Sequence, residues 1–415
     1  MYRRNISHAL LEALRDTPAV LLQGVRQAGK STLVREVAAR QHPARYLTLD
    51  DLAVLAAASA DPAGFIGGFE GPVIIDEVQR VPDLFLAIKA SIDRDRRPGR
   101  FLLTGSANVL LLPKASEFLA GRMELLTLWP LSQGELEGRE EHFVDALFSD
   151  QLEHRAYTTS RSDLLRRMAA GGFPEAVQRK PIRRRVWYDS YVTTILQRNI
   201  RDMANVEGLT ALPRLLSLIA ARCGSLLNVA EVSRTSGLPN STLRRYLALF
   251  EAAFLVQTIP AWAAGLESRL VKSPRVYLSD SGLACHLNGV DEEKLSRDPN
   301  IAGPLFENFV AMELRKQCTW SRTRAQLFHY RLHTGHEVDL LLERDDGVVV
   351  GVEVKFAATV GAADLKGLKA LREHAGNRFL RGILLYGGSE SIALGSDLHA
   401  LPVDALWAYP HQGEG

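Results

Sequence analysis

The stretch Gly24-Val25-Arg26-Gln27-Ala28-Gly29-Lys30-Ser31-Thr32 fits the phosphate-binding pattern G-x-x-x-x-G-K-[ST] without a mismatch. A loop of this kind turns its backbone N–H groups inward and makes an anion-binding concavity. Gly24, Gln27, Ala28, Gly29, Lys30, Ser31 and Thr32 are therefore the candidate nucleotide-binding residues. Lys30 would reach the β- and γ-phosphates of ATP, and the Ser31 hydroxyl would ligate Mg²⁺. A second stretch, Val73-Ile74-Ile75-Asp76-Glu77, is an apolar run tipped by two acids. Carboxylates at such a strand end sit beside the phosphates in an open α/β sheet. Asp76 would hold Mg²⁺ through water, and Glu77 would polarise the attacking water. Alone, the two acids would read as a surface turn; beside the phosphate loop they read as catalytic.

A further constellation lies near the C-terminus. Asp339 stands in one apolar run and Glu353-Val354-Lys355 in the next, with Glu307 on an earlier amphipathic stretch. Alternate side chains of a strand share a face, so Glu353 and Lys355 point the same way. Two acids and a lysine converging across neighbouring strands can hold Mg²⁺ and orient a hydrolytic water. The plain alternative is an ion-pair ladder on a solvated sheet face. Acids inside apolar strands argue against it, because buried charge is costly unless used or paired. His329, His333 and His336 are nearby, but their spacing fits no ligand pattern.

These residues need elements to position them. Ala19 to Leu22 reads as a buried strand and Leu33 to Arg40 as the helix after the loop, which is what a phosphate site requires. Arg45 to Leu49, the acid-tipped run, Arg100 to Thr104 and Met123 to Leu128 read as further strands. Helices are predicted over Ser7 to Leu14, after Asp50-Asp51, and from Pro82 to about Asp95. Strands alternating with helices predict an α/β fold with a mostly parallel sheet.

The fourth strand ends in Thr104-Gly105-Ser106-Ala107-Asn108, where a nucleoside triphosphatase carries a γ-phosphate sensor. Ser106 is the chosen sensor, Thr104 and Asn108 are its rivals, and an ordinary strand-end turn is the alternative. Leu119-Ala120-Gly121-Arg122 leads into the fifth strand. Arg122 could reach a neighbouring subunit's γ-phosphate as an arginine finger, or lie solvated or in a local ion pair.

Beyond Trp129-Pro130-Leu131 the pattern turns helical and polar, like the lid and connector of an ATPase module. Helices over Pro213 to Ala221, Asn228 to Ser236 and from Asn240 or Ser241 to Glu251, with Gly237 between the last two, carry a helix-turn-helix signature. Phe254 to Ile259 and Arg275 to Leu278 alternate like a hairpin, with Trp262 to Lys272 as its wing. Thr242, Arg244 and Arg245 are the DNA-contact candidates on the reading helix. A winged helix also serves as a protein–protein spacer. Leu327 to Leu332, Glu337 to Glu343 and Val348 to Phe356 are the strands around the C-terminal acids.

The 415 residues allow several domains, and the formal net charge of +2 gives no global case for nucleic acid. Cys223, Cys285 and Cys318 are far apart, which suits neither zinc nor a disulfide framework. No run approaches the roughly 18–20 apolar residues of a membrane span, and Met1-Tyr2-Arg3-Arg4-Asn5 lacks the apolar core of a signal peptide. A reduced, cytoplasmic protein with no membrane partner is expected.

With these residues assembled, the chain resembles a family of bacterial and archaeal ATPases of the AAA superfamily. Their C-terminal half carries a winged helix and a restriction-endonuclease-like region. Besides the stretches above, the markers are Asp76-Glu77-Val78-Gln79-Arg80, Gly171-Gly172-Phe173-Pro174, Leu278-Ser279-Asp280-Ser281-Gly282-Leu283 and Glu307-Asn308-Phe309-Val310. Glu337-Val338-Asp339 and Glu353-Val354-Lys355 look like the PD-(D/E)xK nuclease pattern. The family's usual sensor Asn is replaced here by the Thr/Ser turn. The resemblance implies an AAA+ P-loop core over residues 1–135, a helical lid and connector over 136–212, a winged helix over 213–283 and a nuclease-like α/β domain over 284–415. It also implies a homo-oligomer, of which a hexameric ring is one form. Three functions stay open: an ATP-driven machine that binds or processes DNA, an ATP-dependent switch or scaffold for a protein partner whose nuclease fold is vestigial, and a stand-alone metal-dependent nuclease gated by its ATPase.

Overall fold

The apolar runs of the first part of the chain pair as one parallel sheet. The computed structural model describes residues 2–106, 121–199, 211–263, 265, 269 and 272–409. In it, β1 (Ala19–Gly24), β2 (Arg45–Thr48), β3 (Val73–Asp76), β4 (Phe101–Gly105) and β5 (Met123–Leu128) lie in the order β2-β3-β4-β1-β5. Every neighbouring pair is parallel. Parallel strands need crossovers, and helices Lys30–Arg40 and Leu84–Arg94 supply two of them. Asp51 starts the helix Leu52–Ala60 by accepting the N–H groups of Ala53 and Val54. Leu21, Ile75 and Leu103 of the strands pack with Phe85, Ile88 and Ile92 of the helix before β4. Each such buried side chain contributes about 1.5–3 kcal/mol. The parallel arrangement brings Gly24, Asp76 and Gly105 to one edge of the sheet, where Leu22 pairs with Thr104 and Thr48 with Asp76.

The chain divides into two compact units, Arg3–Leu131 with Leu249–Leu255, and Met1–Tyr2 with Ser132–Ala248 and Val256–Gly415. Helices Leu212–Ala220, Val229–Ser236 and Asn240–Ala252 follow one another, with Gly237 in the left-handed region at φ 75°. After them β6 (Val256–Ile259) and β7 (Arg275–Leu278) pair antiparallel. The segment read as the wing, Trp262 to Lys272, lies in part outside the described residues.

The second unit holds a mixed sheet. Its strands are β8 (Ala325–Arg331), β9 (Glu337–Arg344), β10 (Val349–Lys355), β11 (Phe379–Tyr386), β12 (Ile392–Ala393) and β13 (Leu398–Pro402). They are ordered β12-β13-β11-β10-β9-β8. Pairing is antiparallel from β8 to β10 and parallel from β10 through β11 to β13. Leu368 and Leu371 of helix Lys366–Ala375 pack with Val338 and Leu384 of this sheet. A long helix, Pro299–Gln317, carries Glu307. No helix among the described residues is long and apolar enough to cross a membrane.

Candidate functional site

The phosphate loop is shaped by its backbone. Gly24 has φ 142°, and a Cβ there would come 2.1 Å from the Leu128 carbonyl oxygen, so only glycine fits against β5. Gly29 at φ 99° and Gln27 at φ 62° complete the turn into helix Lys30–Arg40. Among the described residues no side chain caps that helix, so its first N–H groups face the loop uncapped. Lys30 is buried, and its Nζ donates to the carbonyls of Gly24 and Val25 at 2.9 Å each. Burial pulls its ammonium down to about 8, against the raising effect of Glu77 and Asp76.

The acids at the end of β3 meet this loop. Ser31 Oγ donates to Asp76 Oδ1 at 3.1 Å, and the Tyr46 hydroxyl donates to Asp76 Oδ2 at 2.7 Å. Burial pushes the Tyr46 phenol up to about 12, which keeps it a donor. Thr104 donates to Asp76 and accepts the Glu77 N–H at 3.0 Å. Glu77 itself is held in the left-handed region at φ 60°, a strained position for a residue other than glycine. Ser106 Oγ donates to Glu77 Oε2 at 2.8 Å, and Gln79 Nε2 donates to the same oxygen and to Ser106 Oγ. An uncapped helix N-terminus, a lysine inside the loop and a hydroxyl beside a carboxylate fit a magnesium-bound nucleoside triphosphate, since Mg²⁺ prefers hard oxygen ligands.

The sequence reading missed several members of this site. Arg4 is buried; its Nη1 donates to the Ala28 carbonyl and its Nη2 to the Trp129 carbonyl, at 2.7 Å each. Tyr46 was missed as well, because it acts on a carboxylate without belonging to a motif, and Gln79 stood in a marker segment with no role assigned to it. Ser106 is close to Glu77, as a sensor would be, but its recorded partners are Glu77 and Gln79. The rival Asn108 and the Leu119-Ala120 part of the next marker lie outside the described residues. Arg122 precedes β5, and its carbonyl accepts the Ala19 N–H at the start of β1, away from the phosphate loop. Its Nε donates to Asp93 Oδ1 at 2.6 Å, the local ion pair that was the alternative to a finger.

The C-terminal constellation is also brought together. Arg275 of β7, only 5% exposed, sends Nη1 to Glu307 Oε1 at 2.8 Å and to Asp339 Oδ1 at 3.0 Å. Its Nη2 reaches Glu337 Oε2 at 3.0 Å. Asp339 Oδ2 accepts the Val354 N–H at 3.0 Å, and Tyr277 donates to Glu307 at 2.7 Å. Lys355 Nζ lies 2.8 Å from Glu353 Oε1, while Glu353 Oε2 is buried and has no hydrogen-bond partner among the described residues. Burial and the nearby Asp339 push the Glu353 carboxyl up to about 8 and Glu307 to about 7. Divalent Mg²⁺ does not fit this arrangement. Both Asp339 oxygens are engaged and a guanidinium stands among the acids. Among the described residues no group of three or more His, Cys, Asp or Glu side chains is placed to hold a metal ion. His329, bonded to the Ser273 carbonyl and pulled by burial down to about 4, stays neutral. On helix Asn240–Ala252, Arg244 and Arg245 are exposed and Thr242 is half-buried.

Comparison with known proteins covers most of the chain. Residues 16–137 match the family described as "AAA domain". Residues 161–294 match a domain of unknown function (DUF8612), and residues 302–406 match another (DUF4143). Over 408 residues the chain is 31% identical to an uncharacterized protein of Mycobacterium tuberculosis, covering 97% of this chain and 84% of the relative. An uncharacterized protein of Mycobacterium bovis matches with the same figures. Among solved structures, a Walker-type ATPase of Pyrococcus abyssi is 13% identical, covers 69% of this chain and 96% of its own, and has a TM-score of 0.44.

Proposed function

This chain belongs to the family of those two mycobacterial proteins and carries an AAA domain at residues 16–137, and from that premise we propose that it binds and hydrolyses ATP with Mg²⁺. The observation that carries the reading is the approach of Ser31 to Asp76, with Glu77 next to it and fixed by Ser106. When bound, Mg²⁺ would neutralise phosphate charge. The loop N–H groups and Lys30 bind and orient the phosphates. Ser31 and Asp76 are the residues to hold the ion, and Glu77 accepts the proton side of an attacking water. Glu77→Gln should keep ATP binding and stop turnover. A native hydrolysis rate in that variant would overturn the assignment.

The AAA module is read as a driver for the rest of the chain, working as a homo-oligomer in which Arg122 is offered to a neighbour. Exposed Arg244 and Arg245 support nucleic acid as a partner of helix Asn240–Ala252. ATPase rate with and without DNA tests this: stimulation supports it, and neither stimulation nor DNA retention at low salt rejects it. One observation favours the second reading, a nucleotide-dependent switch that binds a protein partner. The guanidinium seated among Glu307, Glu337 and Asp339 leaves the nuclease-like pattern without a fitting metal position.

A further inference from the structure

Arg275 is a cation built into the C-terminal carboxylate cluster. Its fork meets carboxylates from three places: Glu307 on helix Pro299–Gln317, and Glu337 and Asp339 on β9. The strand that carries it is fastened on both sides. The Leu278 N–H donates to Asn308 Oδ1 at 2.8 Å, one residue beyond Glu307, and the Gly224 N–H donates to the Val276 carbonyl at 2.9 Å. Gly224 has φ 76°, and a Cβ there would come 2.9 Å from Glu307 Oε2; glycine leaves that carboxylate its room. Helix, strand and loop therefore all shape one small charged chamber.

The charges in it do not describe a surface ladder. Glu307, Glu337, Asp339 and Glu353 are set against Arg275 and Lys355. Glu353 is 7% exposed, and one of its oxygens has no partner among the described residues. A hard divalent ion takes about six oxygen ligands at about 2.0–2.6 Å. Here Glu307 Oε1 and both Asp339 oxygens already receive N–H groups, from Arg275 and from the Val354 backbone. A guanidinium neutralises carboxylates as an ion does and forks to reach several at once. Unlike a metal it offers no open position and binds no activated water.

We propose that Arg275 is the resident cation of this cluster, so that the site takes up no divalent metal while the guanidinium is seated and becomes a divalent-cation site once it is removed. The second half follows from the same distances. Glu307 Oε1 and Asp339 Oδ1 converge within 3.0 Å of the one point now held by Nη1. Emptying that point leaves two carboxylates facing it, with the unpartnered Glu353 oxygen on the adjoining strand. The inference is independent of the nucleotide assignment, which concerns Lys30, Ser31, Asp76 and Glu77.

The test is a Mn²⁺ titration of the full, nucleotide-free chain, read by paramagnetic resonance of the free ion. Four proteins are compared: native, Asp339→Asn, Arg275→Gln and the double variant Arg275→Gln/Asp339→Asn. Asp339 dependence separates this site from any ion held near the phosphate loop. The native chain should show no Mn²⁺ site that Asp339→Asn abolishes. Arg275→Gln should gain one site, which Asp339→Asn removes again. Guanidinium ion at sub-denaturing concentration should compete with Mn²⁺ for it. Should Arg275→Gln not fold, the charge-compensated pair Arg275→Gln/Glu337→Gln, which keeps Glu307 and Asp339, takes its place in the titration. An Asp339-dependent site in the native chain overturns the proposal, and that arm needs no change at Arg275. So does a folded Arg275 variant that gains no Mn²⁺.

Discussion

Ser106 and Glu77 meet across the ends of β4 and β3, the hydroxyl donating to the carboxylate at 2.8 Å. Gln79 holds the same carboxylate oxygen and also reaches Ser106. A hydrogen bond to a charged group contributes about 1.5–3 kcal/mol. If it fixes Glu77 for water polarisation, its loss should appear in turnover. Ser106→Ala is therefore expected to lower kcat by roughly 10–100-fold while ATP affinity stays within about twofold. A variant whose affinity falls and whose kcat holds would instead make Ser106 a phosphate contact.

Lys30 gives a pH dependence with a definite sign. Burial lowers its ammonium to about 8 from an ordinary 10.5. Between those values the folded chain binds fewer protons than the unfolded one, so this group makes stability rise with pH across that window. Nucleotide binding runs the other way, because phosphate needs the protonated amine. Above pH 8, ATP affinity should fall by up to about tenfold per pH unit. Binding at pH 9 should take up a proton, measured by calorimetry in buffers of different ionisation enthalpy. Lys30→Ala should bind weakly and show neither effect.

Arg4 ties the phosphate loop to the end of β5 through two carbonyls, Ala28 and Trp129. Arg4→Ala leaves both buried acceptors without these bonds, and we expect a loss of about 2–4 kcal/mol in the first unit's stability. ATP binding should weaken as well, because the loop loses its brace. Arg4→Lys should recover only part, as one ammonium cannot fork to two carbonyls in the same way. Denaturant unfolding and nucleotide titration of the two variants check this. Native stability in Arg4→Ala would show that the clamp contributes nothing.

What could be read ahead of the fold was what neighbouring residues announce. Ala19 to Leu22 and Val73 to Asp76 are apolar runs flanked by turn and helix signals, and both are strands. Arg4, Tyr46 and Arg275 carry no such mark. Arg4 works 24 and 125 residues away, Tyr46 works 30 residues away, and Arg275 works 32 and 64 residues away. An arginine opening a short strand looks solvated until helix Pro299–Gln317 and β9 close over it. The sheet order of the second unit was hidden for a similar reason. β11 is central and paired on both sides, yet Arg381 and Gly382 interrupt its apolar run. Arg381 is buried because it donates to the Ser149 carbonyl, a partner 232 residues away.

Arg122 separates a self-contained ATPase from one completed by its neighbour. Its Nε is engaged by Asp93, so service as a finger requires exchanging that carboxylate for a phosphate. Arg122→Ala should then lower turnover, by about 10³–10⁵ if the finger follows other systems, with ATP affinity kept. Asp93→Ala should not lower it. Turnover per subunit should rise with protein concentration in the native chain. A concentration-independent rate, together with native turnover in Arg122→Ala, would leave Arg122 as an ion pair and nothing more.

Glu353 should make the second unit weaker at alkaline pH. Its carboxyl is held at about 8 by burial and by Asp339, despite Lys355, and that of Glu307 at about 7 by burial and by Asp339, despite Arg275. Both lie above the ordinary 4.5, so between that value and 7 to 8 the folded chain binds protons that the unfolded chain has released. Their contribution is whole below about pH 4.5 and is lost as pH rises through 7 and 8. Each unit of separation corresponds to about 1.4 kcal/mol, so the change from pH 5 to pH 8.5 should be on the order of a few kcal/mol. Glu353→Gln keeps a neutral side chain of the same shape in place. It should match native stability near pH 5, exceed it at pH 8.5, and flatten the profile between. The measurement is denaturant unfolding at several pH values, followed by a probe in the second unit such as fluorescence of Trp262, which is buried and donates to Glu343. If the native and Glu353→Gln profiles run parallel, Glu353 is ionised in the folded chain at neutral pH and its unpartnered oxygen bears a charge.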